Sequence, residues 1–338
     1  MFIDRHMRSL AILLAAAAML TGCSNHAQTA AEKGDLRVGF IGTLGGAPAG
    51  PEGWAYKNGL LLPALRPAGI TSIKFTSFPN GPDLNEAIAG HAEDLGMLGD
   101  TPAIVGKAAG LHTRLINQTS VGSDCWLIVR ADGPKTLNDL KGKIVATQKG
   151  SYMARYLMGL LIDNGLLDKV RFVNLLSSDA EAALRRGDIA AYASPYGPLL
   201  ESHGFRSLDE AKNHPSLLGS GVTIVTSEYY SNHPDIVTAW NHARDIGIDN
   251  LQQHQDEYYA WQAARVKLPV AIYRKVYPSR VYTKEALTPY GINLLNSTKA
   301  FLVGQHLAKS DFNVTDWAVP GVLPTSKVAS AQVQEKQP

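Results

Sequence analysis

Four short turns combine glycine with small polar residues, and each directly follows an apolar run of strand length. Glycine lets backbone N–H groups approach a ligand closely, and each turn precedes a stretch with helical periodicity. The first N–H groups of a helix have no intrahelical partner and carry the positive end of the helix dipole, so they favour an anion. The turns at 42–46, 79–82, 99–102 and 149–152 therefore predict a site for a small anion.

Hydroxyl and amide side chains in these turns are suited to hold the anionic head group. We expect backbone N–H groups of the third and fourth turns to bind it, helped by Thr101 and Ser151, while Thr43 and Asn80 close the site from the first half of the chain. Taken singly, each turn is better explained by simple helix capping, and the four turns together favour an anion site. The predicted ligand-binding residues are Thr43, Phe78, Asn80, Gly81, Asp100, Thr101, Gly150, Ser151, Tyr152, Ser194 and Tyr196.

Aromatic and cationic side chains near the turns suit an organic anion. Tyr152 and Tyr196 lie at turns, whereas Tyr192 lies inside a strand pattern and is more typical of a core residue. Lys149 and Arg155 offer attraction to an anion, but an exposed helix face is the favoured explanation of both. Trp54 lies beside the first turn, and as an aromatic residue it is more typical of the core than of a ligand contact.

The elements that position these turns alternate between short apolar runs and amphipathic stretches, which predicts an α/β fold with parallel strands covered by helices. Strand and helix patterns fill one series at 36–130 and a second at 134–226, and long helices follow at 234–253, 256–266 and 287–307. Two α/β lobes crossed by two strands are expected, with the ligand in the cleft beyond the carboxyl ends of the strands.

Composition limits the class of protein. The 338 residues are 45% hydrophobic and 18% charged, which is typical of a globular chain of about two domains. The 32 basic and 30 acidic residues nearly balance, and no like-charge block stands out, so a nucleic-acid partner is not expected.

The N-terminal segment has the pattern of an export signal. Arg5 and Arg8 precede an apolar run at 10–20, which is too short to span a bilayer. The run ends in Leu20-Thr21-Gly22-Cys23, which resembles the lipobox of bacterial lipoproteins, and a chance cysteine at an ordinary cleavage site is the alternative. A lipidated Cys23 leaves Cys125 as a lone thiol, expected to be a buried structural residue without a disulfide partner.

The run at 78–110 resembles the periplasmic substrate-binding proteins of ABC importers for aliphatic sulfonates, taurine and nitrate. Further similar stretches are 137–151, 181–196 and 229–234. The resemblance implies a type II periplasmic-binding-protein fold with two hinge strands and a helical C-terminal region. One departure concerns the second lobe, where the family commonly carries a Trp and an acidic residue before Pro195, and this chain has Ala193 and Ser194.

The resemblance also implies a function and a domain plan. A monomer anchored by lipid at the extracytoplasmic face would capture a small organic anion for a permease and its ATPase, without a cofactor or metal. The expected plan is a signal peptide at 1–22, a lipidated tether at 23–35, lobe 1 at 36–128 and 227–326, lobe 2 at 129–226 and a flexible tail at 327–338.

Two further functions stay open from the sequence. The same fold hosts enzymes such as thiamine-pyrimidine synthases and menaquinone-pathway lyases, although the cysteine-rich motif of the former is absent. No HExxH, CxxC or GxSxG motif occurs, and the histidines lack metal-ligand spacing. The second possibility is a lipoprotein that senses its ligand without transporting it.

Overall fold

The computed structural model describes residues 34–42 and 46–324, whose strands form two five-stranded sheets. The strands are short apolar runs, and the helices between them cover the faces of the sheets. In chain order the strands are β1 (Asp35–Ile41), β2 (Ser72–Phe78), β3 (Leu95–Gly99), β4 (Thr113–Ser123), β5 (Trp126–Arg130), β6 (Ile144–Thr147), β7 (Arg171–Asn174), β8 (Ala191–Ser194), β9 (Phe205–Glu210) and β10 (Gly219–Thr226).

The helices alternate with the strands and then follow one another after β10. In chain order they are α1 (Gly50–Lys57), α2 (Leu61–Leu65), α3 (Gly81–Ala89), α4 (Asp100–Ala108), α5 (Tyr152–Asp163), α6 (Ser177–Arg186), α7 (Gly197–Ser202), α8 (Ser227–Asn232), α9 (Ile236–Gln253), α10 (Gln255–Arg265), α11 (Val270–Val276), α12 (Pro289–Gly304) and α13 (Val314–Trp317). Short 3₁₀ turns lie at Arg66–Ala68, Leu137–Leu140, Leu167–Lys169, Ala211–Asn213, Pro215–Leu217 and Ser279–Val281.

The first sheet has the strand order β2-β1-β3-β10-β4. β1 runs parallel to β2 and β3, whereas β10 is antiparallel to both of its neighbours. One face buries Val38 with Trp240 of α9, and the other buries Ile224 with Ile104 of α4 and Leu295 of α12. Helices therefore cover the sheet on both sides, as its continuous apolar strands require.

The second sheet has the order β7-β6-β8-β5-β9, with β6 parallel to β7 and β8 and with β5 antiparallel to β8 and β9. Tyr156 of α5 packs in the core on one face, and Leu184 of α6 packs on the other. The predicted α/β fold with parallel strands is thus confirmed for most strands, and one strand in each sheet runs antiparallel to the rest. Both reversed strands, β5 and β10, enter directly from the opposite sheet, and this crossing reverses their direction.

The two sheets define two lobes: lobe 1 contains β1–β4 and β10, and lobe 2 contains β5–β9. The chain crosses between them after Ser123 and again between Glu210 and Gly219. The boundaries predicted at 128/129 and 226/227 therefore fall several residues late, since β5 belongs to lobe 2 and β10 to lobe 1. Both strands are apolar enough to fit either sheet, so their sequences do not assign them to a lobe. The strands with which they pair make that assignment.

Other differences from the expected elements are local. α1 begins at Gly50 instead of near Tyr56, and β9 and α11 were not predicted. Residues 34 and 35, assigned to the tether, begin the folded part. The signal peptide, Cys23, the rest of the tether, Thr43 and the tail lie outside the described residues. Within residues 34–42 and 46–324, no helix combines the length and apolarity needed to cross a bilayer.

Candidate functional site

A cavity of about 690 Å³, the cleft cavity, lies between the two lobes. Its walls include Ile41 and Gly99, at the ends of β1 and β3, and the turns that follow β2, β6 and β8. This is the predicted position beyond the carboxyl ends of the strands, and the volume is within the range of small-molecule sites. The predicted site residues that line it are Asn80, Gly81, Gly150, Ser151, Tyr152 and Tyr196.

The N-terminus of α5 opens onto the cleft cavity. Ser151 is its N-cap: the Ser151 hydroxyl accepts from the N–H of Ala154 at 3.2 Å and donates to the carbonyl of Gln148 at 2.5 Å. The first two N–H groups of the helix, those of Tyr152 and Met153, have no intrahelical partner, and both residues line the cavity. The serine therefore shapes the helix start, and the backbone N–H groups remain for an anion.

The N-terminus of α3 faces the same cavity from lobe 1. Asn80 caps this helix, because its Oδ1 accepts from the N–H of Asp83 at 2.9 Å and its Nδ2 donates to the Asp83 carboxylate at 2.9 Å. A Cβ on Gly81 would lie 2.3 Å from Pro102, so only glycine lets the starts of α3 and α4 approach this closely. Asn80 and Gly81 thus serve mainly to position the backbone at this helix start, and less to contact a ligand through their side chains.

Asp100 and Thr101 do not line the cleft cavity, although the sequence placed both in the site. Asp100 is fully buried and Thr101 is 3% exposed, and the threonine hydroxyl donates to the Asp100 carboxylate at 3.0 Å. The Thr101 hydroxyl donates inside the protein, so its role on the ligand stays a prediction that this geometry does not favour. Gly99 and Pro102 from the same turn line the cavity instead.

Arg155 is buried, with 1% of its surface exposed, so neither an exposed helix face nor a ligand clamp describes it. Its guanidinium donates to the carbonyl oxygens of Ser216 at 3.1 Å and Leu218 at 2.7 Å, and lies 3.5 Å from the Asp100 carboxylate. Burial lowers the pKa of Arg155 and raises the pKa of Asp100, and their mutual attraction opposes both changes.

The lobes touch each other at the rim of the cleft cavity. Gln148 of lobe 2 donates through Nε2 to the carbonyl of Pro79 in lobe 1 at 3.2 Å. Gly150 has φ +75°, and a Cβ there would lie 3.1 Å from Pro82 of lobe 1. Glycine is needed at this position both for the left-handed backbone and for the close approach of the lobes.

The charged side chains in the described wall of the cleft cavity are all cationic: Lys149, Arg265 and Lys267. Lys149 and Lys267 are exposed. Arg265 is half-buried, donates to the carbonyl of Pro48 at 3.3 Å, and stacks 4.8 Å above the ring of Trp261. Partial burial lowers the pKa of Arg265. A wall with cations and no carboxylate in its described part attracts an anion.

Two serines on the strands that pass between the lobes add hydroxyls. Ser220 is 3% exposed, lines the cavity, and its hydroxyl oxygen has no hydrogen-bond partner among the described residues. The Ser120 hydroxyl accepts from the N–H of Gly221 at 3.1 Å and lies 3.3 Å from the Ser123 hydroxyl. Because a buried polar atom without a partner is costly, Ser220 is a strong candidate for a ligand contact.

Aromatic rings form much of the remaining wall. The Tyr152 hydroxyl donates to the carbonyl of Asp124 at 3.2 Å, which ties this lobe 2 side chain to the crossover between the lobes. Tyr196 and Tyr277 line the cavity with hydroxyl oxygens 3.4 Å apart. Burial, the largest cause, raises the pKa of both Tyr152 and Tyr277 well above the ordinary value, so their hydroxyls stay protonated.

The remaining residues singled out from the sequence are structural. Phe78 packs against the core of lobe 1, and Trp54 belongs to a cluster of buried aromatics with Tyr258 and Tyr259. Ser194 is 1% exposed and accepts from the N–H of Tyr196 at 3.0 Å. Tyr192 is a core residue, as its strand pattern favoured.

The described wall of the cleft cavity contains no cysteine, histidine or carboxylate side chain. Cys125, the cysteine within the described residues, is buried in the core of lobe 2, and burial raises the pKa of its thiol well above the ordinary value. Residues 34–42 and 46–324 contain no group of three or more His, Cys, Asp or Glu side chains placed to hold a metal ion.

Sequence reasoning missed Ser120, Ser220, Arg265, Lys267 and Tyr277 as wall residues. Arg265, Lys267 and Tyr277 lie in the helical C-terminal region. The rule that ligands bind beyond the carboxyl ends of strands makes no prediction for that region. The serines had a weak signal, since Ser120 and Ser220 flank glycine-bearing segments of the crossing strands.

Comparison with protein families gives a match to the model described as NMT1/THI5 like, over residues 72–258. A protein of Bacillus subtilis named as an aliphatic sulfonates-binding protein is 27% identical over 258 residues, which cover 74% of this chain and 76% of the relative.

Two solved structures share the fold. The periplasmic aliphatic sulphonate binding protein SsuA from Escherichia coli aligns with a TM-score of 0.69 at 22% identity, over 85% of this chain and 98% of that one. The enzyme DszB in complex with biphenyl-2-sulfinic acid aligns with a TM-score of 0.66 at 18% identity, over 86% of this chain and 97% of that one. A binding protein and an enzyme thus have the same architecture.

Proposed function

The chain belongs to the NMT1/THI5-like family, and from that premise we propose that it is the substrate-binding component of an ABC importer for aliphatic sulfonates. A small organic sulfonate is held between the two lobes and delivered to a membrane permease. The observation that carries this proposal is the cleft cavity, whose described charged side chains are three cations and which receives the N-termini of helices from both lobes.

A sulfonate head group fits these donors. Its three oxygens carry a negative charge at every physiological pH and accept hydrogen bonds in several directions. The N–H groups of Tyr152 and Met153, the start of α3 and the Ser220 hydroxyl supply donors from both lobes. A ligand that contacts both lobes stabilises the closed arrangement of the two lobes.

The size and the walls of the cavity favour an organic tail. A volume of about 690 Å³ far exceeds what nitrate needs, and Leu199, Val266 and Leu268 offer apolar contact. Taurine brings an ammonium group, and the described wall of the cleft cavity has no carboxylate to receive it. We therefore place plain alkanesulfonates ahead of taurine and nitrate.

The proposed role is binding without turnover. DszB shows that this fold also hosts an enzyme acting in desulfurization, so the enzyme class is the alternative that must be tested. Against it, the thiol of Cys125 lies in the core of lobe 2 and away from the cleft cavity. Two more functions compete with the proposal: a protein related to thiamine precursors, and a lipoprotein that senses its ligand without transport.

The cellular setting is part of the proposal. The Leu20-Thr21-Gly22-Cys23 segment supports a lipid anchor on Cys23 that holds a monomer at the extracytoplasmic face of a membrane. The permease is then the direct protein partner, and the ATPase acts through the permease.

A thermal-shift panel tests the ligand class. It compares alkanesulfonates with taurine, nitrate, carboxylates and thiamine precursors, and each bound compound is recovered for mass spectrometry. A ligand present at 100 times its dissociation constant stabilises the protein by about 2.7 kcal/mol. We expect alkanesulfonates to stabilise most and to be recovered unchanged. Conversion of the bound compound would place the protein among the enzymes, and stabilisation by thiamine precursors alone would refute the sulfonate proposal.

A further inference from the structure

A second cavity of about 200 Å³, the side cavity, adjoins the cleft cavity. The two cavities share the wall residues Ile41, Ser120, Ser123, Gly221 and Tyr277. Most of the surface of the side cavity is apolar, with walls that include Phe40, Met97, Leu98, Val276 and Val281, and the charged residues Glu52, Asp124, Lys275 and Arg280 also line it. The shared wall residues therefore separate the cleft cavity from additional, largely apolar space.

Tyr277 is the largest side chain of this shared wall. It follows α11, which packs against α10 and against α7 of lobe 2, and its hydroxyl reaches the hydroxyl of Tyr196 in lobe 2 at 3.4 Å. The two rings meet edge to face, with centroids 6.3 Å apart. Of the other shared residues, Ser120, Ser123 and Gly221 are small and close little of the passage, and Ile41 is smaller than Tyr277 and 38% exposed.

Neighbouring aromatic residues hold Tyr277 in place. Its ring lies against that of Tyr273 with centroids 4.9 Å apart, and its carbonyl accepts from the Tyr259 hydroxyl at 3.2 Å. Tyr273 and Tyr259 are themselves 1% and 2% exposed. Because buried neighbours and a hydrogen bond across the lobes hold the Tyr277 ring, its displacement costs free energy.

We infer that Tyr277 determines the longest alkyl tail that this protein accepts, by closing the cleft cavity against the side cavity. The inference rests on the proposed binding of alkanesulfonates. A tail longer than the cleft cavity meets the Tyr277 ring, whereas removal of the ring opens the apolar space behind it.

Isothermal titration calorimetry with n-alkanesulfonates, from ethanesulfonate to decanesulfonate, tests the inference. For the wild type we expect affinity to rise with tail length and then to fall once the cleft cavity is full. For Tyr277→Ala the best tail becomes longer, and each further methylene that is buried adds roughly fourfold in affinity. Tyr277→Phe keeps the ring and should keep the wild-type optimum.

Tyr282→Ala is the matched control, because Tyr282 lines the side cavity alone. It enlarges the side cavity without opening the wall, so the optimum should not shift. Melting temperatures establish that each variant folds, and Tyr277→Leu replaces Tyr277→Ala if the alanine variant does not.

Two results overturn the inference: an unchanged optimum when the ring is removed, or a wild-type affinity that still rises at decanesulfonate. Failure of the wild type to bind any alkanesulfonate is a separate outcome, which overturns the proposed function and this inference with it.

Discussion

Arg155 and Asp100 join the two lobes through a buried ion pair, with Nη2 of the arginine 3.5 Å from Oδ2 of the aspartate. The same carboxylate oxygen accepts from the N–H of Ser220 at 2.9 Å, and the guanidinium donates to the carbonyl oxygens of Ser216 and Leu218 on the return crossover. The first turns of a lobe 1 helix and a lobe 2 helix are thereby tied to one hinge segment.

Arg155→Ala should destabilise the protein by about 3 to 5 kcal/mol, because it leaves the Asp100 carboxylate buried without its cation. Chemical denaturation measures the loss. Arg186→Ala is the control: Arg186 forms an exposed pair with Asp188, and its loss should cost no more than about 1 kcal/mol. Equal effects of the two substitutions would show that the buried pair does not hold the hinge.

Ser220→Ala should weaken sulfonate binding tenfold or more with little loss of stability. Its hydroxyl has no partner among the described residues, and a hydrogen bond to a charged group contributes about 1.5 to 3 kcal/mol. Calorimetry gives the affinity, and denaturation gives the stability.

Ser151→Ala and Thr101→Val provide the contrast to Ser220→Ala. Both hydroxyls are engaged inside the protein, so these variants should lose stability, about 1 kcal/mol for the N-cap Ser151, and retain most of their affinity. The opposite ranking, with Ser220→Ala silent and Thr101→Val unable to bind, would place the anion at the start of α4.

Glu93→Gln should stabilise the protein at neutral pH. Glu93 is 4% exposed, and burial, the largest cause, raises the pKa of its carboxyl above the ordinary value of 4.5, against a smaller opposing effect of a hydrogen bond with Thr76. A raised pKa in the folded state means that stability is greatest while the group is protonated and is lost as pH rises through the folded-state pKa.

The stability gap between Glu93→Gln and the wild type should therefore be largest at pH 7 and shrink as pH falls toward 4.5. Denaturant midpoints across this pH range measure it. Glu86→Gln makes the same substitution at an exposed position of α3 and is the matched control for burial. A Glu93→Gln protein that is less stable than the wild type at pH 7 would contradict the prediction.

Cys23→Ala should abolish lipid labelling and release the protein from the membrane fraction, since stable anchoring takes more than one acyl chain and the lipobox supplies the site. Metabolic labelling with a fatty acid and fractionation of cells measure both effects. Cys125→Ala serves as the control, because its thiol is buried in lobe 2 and has no part in anchoring. Unchanged recovery of Cys23→Ala with membranes would refute the lipid anchor.

Local patterns in the sequence were enough to predict most strands and helices and the position of the cleft. Asn80, Gly81 and Ser151 line the cleft cavity, and the sequence placed them near it because turns that follow parallel strands lie at one edge of a sheet. Partners far apart in the chain were not accessible in this way. Arg155 reads as a surface residue until Asp100, from the other lobe, is packed against it. β5 and β10 fit either sheet by apolarity, and Tyr277 reaches the cleft from a region outside the strand pattern.

Calorimetric titration of the purified protein with butanesulfonate is the most direct test of sulfonate capture between the lobes. We expect one molecule bound per chain, with a dissociation constant in the micromolar range, which corresponds to a binding free energy of about −8 kcal/mol. Affinity for butanoate should be lower, because a carboxylate offers one oxygen fewer to donors from two lobes. Absence of binding heat with butanesulfonate, confirmed by an unchanged melting temperature, would contradict the proposed function.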